Sequence, residues 1–119
     1  PIMHFHAGSD SYDWHEASTF PLGYMNQTRL GDPTAILMEP GDILGLISDG
    51  IYEYENTAGV QFGQDGIIKV IADHPDATAD ELVRLIMQAA RQHGGPVPQA
   101  DDITVVLVRR LVSDGIDSK

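Results

Sequence analysis

ILGLISDGIYE, residues 43–53, is the stretch on which the fold turns. Residues 43–48 are apolar with hardly a break, and an apolar run of that length reads as a strand buried on both faces. Asp49 then interrupts it, and a carboxylate is what an apolar interior most strongly rejects. Two readings follow. Either the chain turns at Asp49-Gly50, as Asp-Gly pairs commonly do, or the carboxylate is held at a strand tip to do chemistry. Gly50 suits both, because glycine lets a backbone turn tightly.

Upstream, Pro40-Gly41-Asp42 is a turn, and TAILME (34–39) before it reads as a further strand. IMHFH (2–6) and YDWHE (12–16) form a hairpin across the turn-rich AGSDS. A long connection, STFPLGYMNQTRLGDP (18–33), is punctuated by Pro21, Gly23, Gly31 and Pro33. Downstream the chain becomes polar through YEYENTAG (52–59). Residues 64–73 then read as a helix with Ile67, Val70 and Ile71 on one face and Pro75 beyond its end. A second helix is announced by Thr78 and Glu81 at capping-box spacing. Ala79, Leu82, Val83, Ile86 and Ala90 form its apolar stripe, and Gly94-Gly95 stops it. ITVVLVRR (103–110) is β-branched and reads as the last strand. Residues 1–112 make one domain, and 113–119 a tail. Strands, then helices, then a strand is an α+β order rather than strict βαβ alternation.

The 119 residues suit one domain, and a hydrophobic content of 42% fits a globular chain. The formal charge of −11, from 18 acidic and 7 basic residues, argues against a nucleic-acid binder or a partner of anionic membrane surfaces. No apolar stretch reaches the roughly 18 residues of a membrane span. The absence of cysteine removes disulfides and thiolate metal sites, and is compatible with a cytoplasmic location.

Asp49 closes one apolar strand, and Asp101-Asp102 open another. If those strands are antiparallel neighbours, about 4.8 Å apart, the three carboxylates share one edge of the sheet. Carboxylates brought together repel, and a divalent cation removes the conflict. Oxygen donors without cysteine favour Mg²⁺ or Mn²⁺. The plain alternative is a turn at one end and a solvated strand cap at the other.

Four stretches together resemble one family. They are FPLG (20–23), MEPGDILGLISDGIYE (38–53), Gly59-x-x-Phe62-Gly63 and QADDITVVLVRR (99–110). In this order they are similar to the C-terminal half of the catalytic domain of PPM-type (type 2C, SpoIIE-like) metal-dependent serine/threonine protein phosphatases. The resemblance implies a partial αββα sandwich of antiparallel sheets with two helices, and a dinuclear Mn²⁺ or Mg²⁺ centre in the complete domain. It implies hydrolysis of phosphoserine or phosphothreonine on a protein, in bacterial relatives often an anti-sigma-factor antagonist, by a metal-activated water. Asp49 matches the metal-binding Asp of the Asp-Gly motif and Asp101 the ligand that opens the last strand. Asp102 takes the neighbouring position, often Asn or Asp, and Gly50 is structural.

The family's Gly-Asp-x-x-Asp segment has no counterpart in these residues. The resemblance therefore implies that the 119 residues alone are inactive or nearly so, with sheet edges open to pairing with a second copy. The rival reading is a truncated or degenerate phosphatase fold acting as a non-catalytic interaction module. His4-x-His6, with Glu16 nearby, invites a cupin-like metal site, but a second histidine segment is wanting and surface histidines on a hairpin are the expected reading. A receiver-type phosphoacceptor needs βαβ alternation, which the strand-rich start does not offer. Tyr12, Trp14 and Tyr24 read as core or hairpin packing rather than a binding patch.

Overall fold

The computed structural model describes residues 2–15 and 35–112. Four strands form one antiparallel sheet: β1 (Ile2–His6), β2 (Ser11–His15), β3 (Ile43–Ile47) and β4 (Val105–Arg109), in the spatial order β2-β1-β3-β4. Three helices lie between β3 and β4 in the chain: α1 (Asp49–Tyr52), α2 (Gly63–Asp73) and α3 (Ala79–Gly94). The expected neighbourhood of the two central strands holds, with Ile47 opposite Val105 and Ile43 opposite Arg109. The segments FPLG, Glu16, Tyr24, Thr34 and the tail 113–119 fall outside the described residues.

Paired residues of antiparallel strands place their side chains on the same face of a sheet. One face is therefore built from the rows Trp14–Met3–Gly45–Leu107 and Tyr12–Phe5–Ile43–Arg109. The helices pack on it. Met3, Phe5, Ile43 and Ile47 meet Ile51, Ile67, Val70, Ile71, Leu82, Ile86 and Ala90 in a continuous core. Trp14 joins that core from the side, with its ring edge-on to Tyr52 at 6.3 Å. The Arg109 guanidinium donates to the carbonyls of Pro75 (2.8 Å) and Ala77, tying β4 to the α2–α3 connection.

The opposite face carries Ile2, Leu46 and Val106 in one row and His4, Leu44 and Val108 in the next. Leu46, Val106 and Val108 are each about half exposed there, at 47%, 48% and 48%. This corrects the expectation that residues 43–48 are buried on both faces. The described helices cover one face only, so burial along β3 alternates.

Both long helices start and stop where their sequences demand. Thr78 caps α3 reciprocally with Glu81: the Glu81 N–H donates to Thr78 Oγ1 at 3.1 Å, and the Thr78 N–H donates to Glu81 Oε1 at 2.8 Å. Leu82, Ile86 and Ala90 are buried at the spacing of one helical face, and Gly95 follows the last turn at φ 58°.

Three boundaries differ from the sequence reading. Residues 35–39 are not a strand: Leu37 is 83% exposed, and the Met38 carbonyl is taken by the Arg110 side chain instead of a neighbouring strand. β4 begins at Val105, not Ile103, because Thr104 pairs with Ser48 beyond the end of β3. Asp49-Gly50 is not a simple turn but the opening of α1. Pro40-Gly41 is a turn as read. Asp42 N–H closes it on Glu39 O at 2.9 Å, with Gly41 at φ 90°, where a β-carbon would be strained.

Candidate functional site

Ser48 builds the rim. Its N–H donates to Thr104 O at 2.9 Å, its Oγ accepts the Thr104 N–H at 2.8 Å, and its hydroxyl reaches Asp102 O at 3.3 Å. These bonds zip the end of β3 to the approach to β4. Asp49 on one side and Asp101-Asp102 on the other therefore stand at the same end of the sheet, as their strand positions implied. Gly50 is needed for steric reasons: a β-carbon there would run into the Asp102 carbonyl and lie 3.2 Å from Asp101 O. Its role is close backbone approach rather than an unusual turn, since it sits inside α1.

All three carboxylates are exposed. Asp49 accepts a hydrogen bond from the Tyr52 hydroxyl, one turn along α1. Asp101 Oδ1 accepts the Asp102 N–H at 2.8 Å, and the Gln99 side chain holds the Asp101 carbonyl at 2.8 Å. Hard oxygen donors on a rim opened by a glycine suit Mg²⁺ or Mn²⁺. They fit such an ion as part of a ligand set: Asp49, Asp101 and Asp102 share the rim, but their oxygens do not converge into a three-donor group among the described residues.

A convergent group exists elsewhere. His4, His6 and Asp42 offer ligand atoms that all lie within 4.8 Å of one another. This overturns the reading of His4 as a surface histidine, while His6 remains a third exposed. His4 is 3% exposed and hydrogen-bonds Asp42, itself 1% exposed, at 2.8 Å. Sequence periodicity does put His4 and His6 on one face, but Asp42 joins them only because β1 pairs with β3, a long-range fact. Burial works against ionisation of Asp42. Hydrogen bonds from His4, Glu39 N–H and Ala7 N–H outweigh it and hold its carboxyl below the usual carboxylate range. Ser48 and Tyr52 also escaped the sequence reading, since neither is unusual as a residue and both matter through their partners.

Among the described residues no helix is long and apolar enough to cross a membrane. The architecture, an antiparallel sheet with helices on one face, matches a phosphatase domain of the PP2C class. The SiaA-PP2C domain of Pseudomonas aeruginosa superimposes with a TM-score of 0.56 at 25% identity, over 62% of this chain and 31% of that one. The chain thus spans less than a third of that solved chain. Residues 1–111 match the family described as Stage II sporulation protein E (SpoIIE), and the chain belongs to that family. No curated protein matches the chain.

Proposed function

We propose that the chain contributes the Asp49/Asp101 half of a metal-dependent protein phosphatase that hydrolyses phosphoserine or phosphothreonine on a protein substrate. The observation that carries this reading is the Ser48 zip, which stands Asp49 beside Asp101-Asp102 in a SpoIIE-family chain. Asp49 and Asp101 would hold Mn²⁺ or Mg²⁺, with Asp102 beside them. When bound, the cation supplies Lewis-acid charge to the phosphoryl oxygens and activates the attacking water. The chain's own residues do the positioning: Tyr52 orients the Asp49 carboxylate, the Asp102 N–H orients Asp101, and Gly50 lets the two backbones close. A small phosphoprotein of the anti-sigma-factor-antagonist kind, met in the cytoplasm, is the substrate class this reading favours.

The test is Mn²⁺-dependent dephosphorylation of a phosphoprotein by the full-length protein. Asp49→Asn and Asp101→Asn should each abolish turnover while the circular dichroism spectrum stays that of the wild type. Turnover at the wild-type rate in either variant refutes the assignment.

One observation favours a second reading, a non-catalytic interaction module. The half-exposed apolar patch of Leu46, Val106 and Val108 is a surface a protein partner would cover. Pairing of β2 or β4, the outer strands among the described residues, with a second copy would be a separate contact at the sheet edge.

A further inference from the structure

The histidine cluster lies on the sheet face turned away from the helices, and the phosphatase reading makes no use of it. His4 and His6 are two apart on β1, so their side chains share that face, and their rings stack with centroids 4.0 Å apart. The Glu39–Asp42 turn delivers the Asp42 carboxylate to the same place. Its Oδ1 accepts the Ala7 N–H at 3.0 Å, and its Oδ2 accepts the Glu39 N–H at 3.0 Å and faces His4 Nε2 at 2.8 Å. Two backbone donors thus fix the carboxylate from behind.

His6 is oriented from behind as well. Its Nε2 lies 2.6 Å from Asp13 Oδ2, a group that accepts hydrogen bonds, so Nε2 carries the proton. In the neutral ring Nδ1 then has a free lone pair. That Nδ1 lies 4.0 Å from Asp42 Oδ2, beyond hydrogen-bond range. An imidazole that donates its far N–H to a carboxylate and keeps its near nitrogen unprotonated is set up as metal-bound histidines are. Beside it, His15 Nε2 is buried with no hydrogen-bond partner among the described residues, and its ring stands 6.4 Å from that of His4.

We propose that His4 Nε2, His6 Nδ1 and Asp42 Oδ2 form a binding site for one divalent transition-metal ion of the zinc class, with His15 flanking it. Two imidazoles and one carboxylate suit Zn²⁺ and its first-row neighbours rather than Mg²⁺ or Ca²⁺. Two of the three donor separations, 2.8 Å and 4.0 Å, lie on either side of the spacing needed, and all three donors lie within 4.8 Å of one another. Bonds of about 2.0–2.1 Å at tetrahedral angles put donors roughly 3.3 Å apart. The ion displaces the Nε2 proton that His4 donates to Asp42 Oδ2; the neutral ring carries its single proton on Nδ1 instead, so Nε2 offers its lone pair and no proton leaves the ring. No residue of the Asp49 rim takes part, so this inference stands or falls independently of the phosphatase reading.

The experiment titrates Zn²⁺ into metal-free protein by calorimetry and repeats the titration with Co²⁺, whose visible bands report donor type. One equivalent should bind, with Co²⁺ bands of nitrogen and oxygen donors. His6→Gln should weaken Zn²⁺ binding at least a hundredfold. The His6 side chain is a third exposed, so that variant should keep its fold by circular dichroism. Asp49→Asn should keep the Zn²⁺ event that His6→Gln removes. Absence of a stoichiometric Zn²⁺ event in the folded wild type overturns the proposal. So does binding undiminished in folded His6→Gln, or binding lost in Asp49→Asn.

Discussion

β3 has an aspartate at each end, and the two meet opposite fates. Asp42, just before the strand, is 1% exposed and receives hydrogen bonds from two backbone N–H groups and an imidazole. Asp49, just after it, is exposed, and the Tyr52 hydroxyl donates to its carboxylate. Backbone donors aimed at a buried carboxylate make it part of the framework. A carboxylate met by a side-chain hydroxyl at a solvent rim costs little to redirect toward a cation. The difference lies in what surrounds each residue, since both follow or precede the same apolar run.

The largest effect separating the two ends should come from Asp42→Ala. It leaves the Ala7 and Glu39 N–H groups and the His4 ring without their acceptor in a buried place. Loss of one partner from such a set costs about 3–5 kcal/mol, read as a drop in the urea midpoint. The same residue should govern acid stability. Its folded pKa is depressed, so its contribution is complete above the unfolded value of about 3.9 and is lost as pH falls through the lower folded value. Urea unfolding between pH 5 and 2 should show a shallower acid decline in Asp42→Asn than in the wild type. An equal decline would mean that the carboxylate is not what β1 and the Glu39–Asp42 turn hold.

Gly50→Ala comes next. The added methyl meets the Asp102 backbone carbonyl, a group that cannot rotate aside. Forced overpacking of this kind costs about 1–3 kcal/mol, and here it should also push Asp49 away from Asp101. Stability measured by denaturant and Mn²⁺-dependent activity should fall together. Ser48→Ala should cost less, about 1–2 kcal/mol for its two side-chain hydrogen bonds. If Ser48→Ala leaves activity untouched, the zip is not what aligns the rim.

The same contrast explains how much was legible in the chain. Helices α2 and α3 were readable because their signals are local: Thr78 and Glu81 lie within one turn, and Ile67, Val70 and Ile71 repeat at helical spacing. The Asp49 rim was readable because strand order and family resemblance both pointed there. Residues 35–39 differ because Ile36, Leu37 and Met38 carry the apolarity of a strand with no strand beside them among the described residues. The histidine cluster was half readable. The His4-x-His6 spacing gives a shared face, but the burial of both His4 and Asp42 depends on β1 lying next to β3, a pairing of residues far apart in sequence.

The smallest expected effect is the sharpest test of the contrast. Asp49→Asn keeps the shape of the side chain and an oxygen for the Tyr52 hydroxyl, and it removes one negative charge from a rim with two more carboxylates. Surface substitutions away from special features stay within about 0.5 kcal/mol of the wild type. Here the relief of like-charge repulsion should place the variant at or slightly above wild-type stability in urea. The gain should shrink in high salt, because exposed charges are screened. An Asp49→Asn protein that unfolds markedly sooner would put Asp49 in the framework beside Asp42, and the idea of a rim kept free for a cation would fail on that measurement alone.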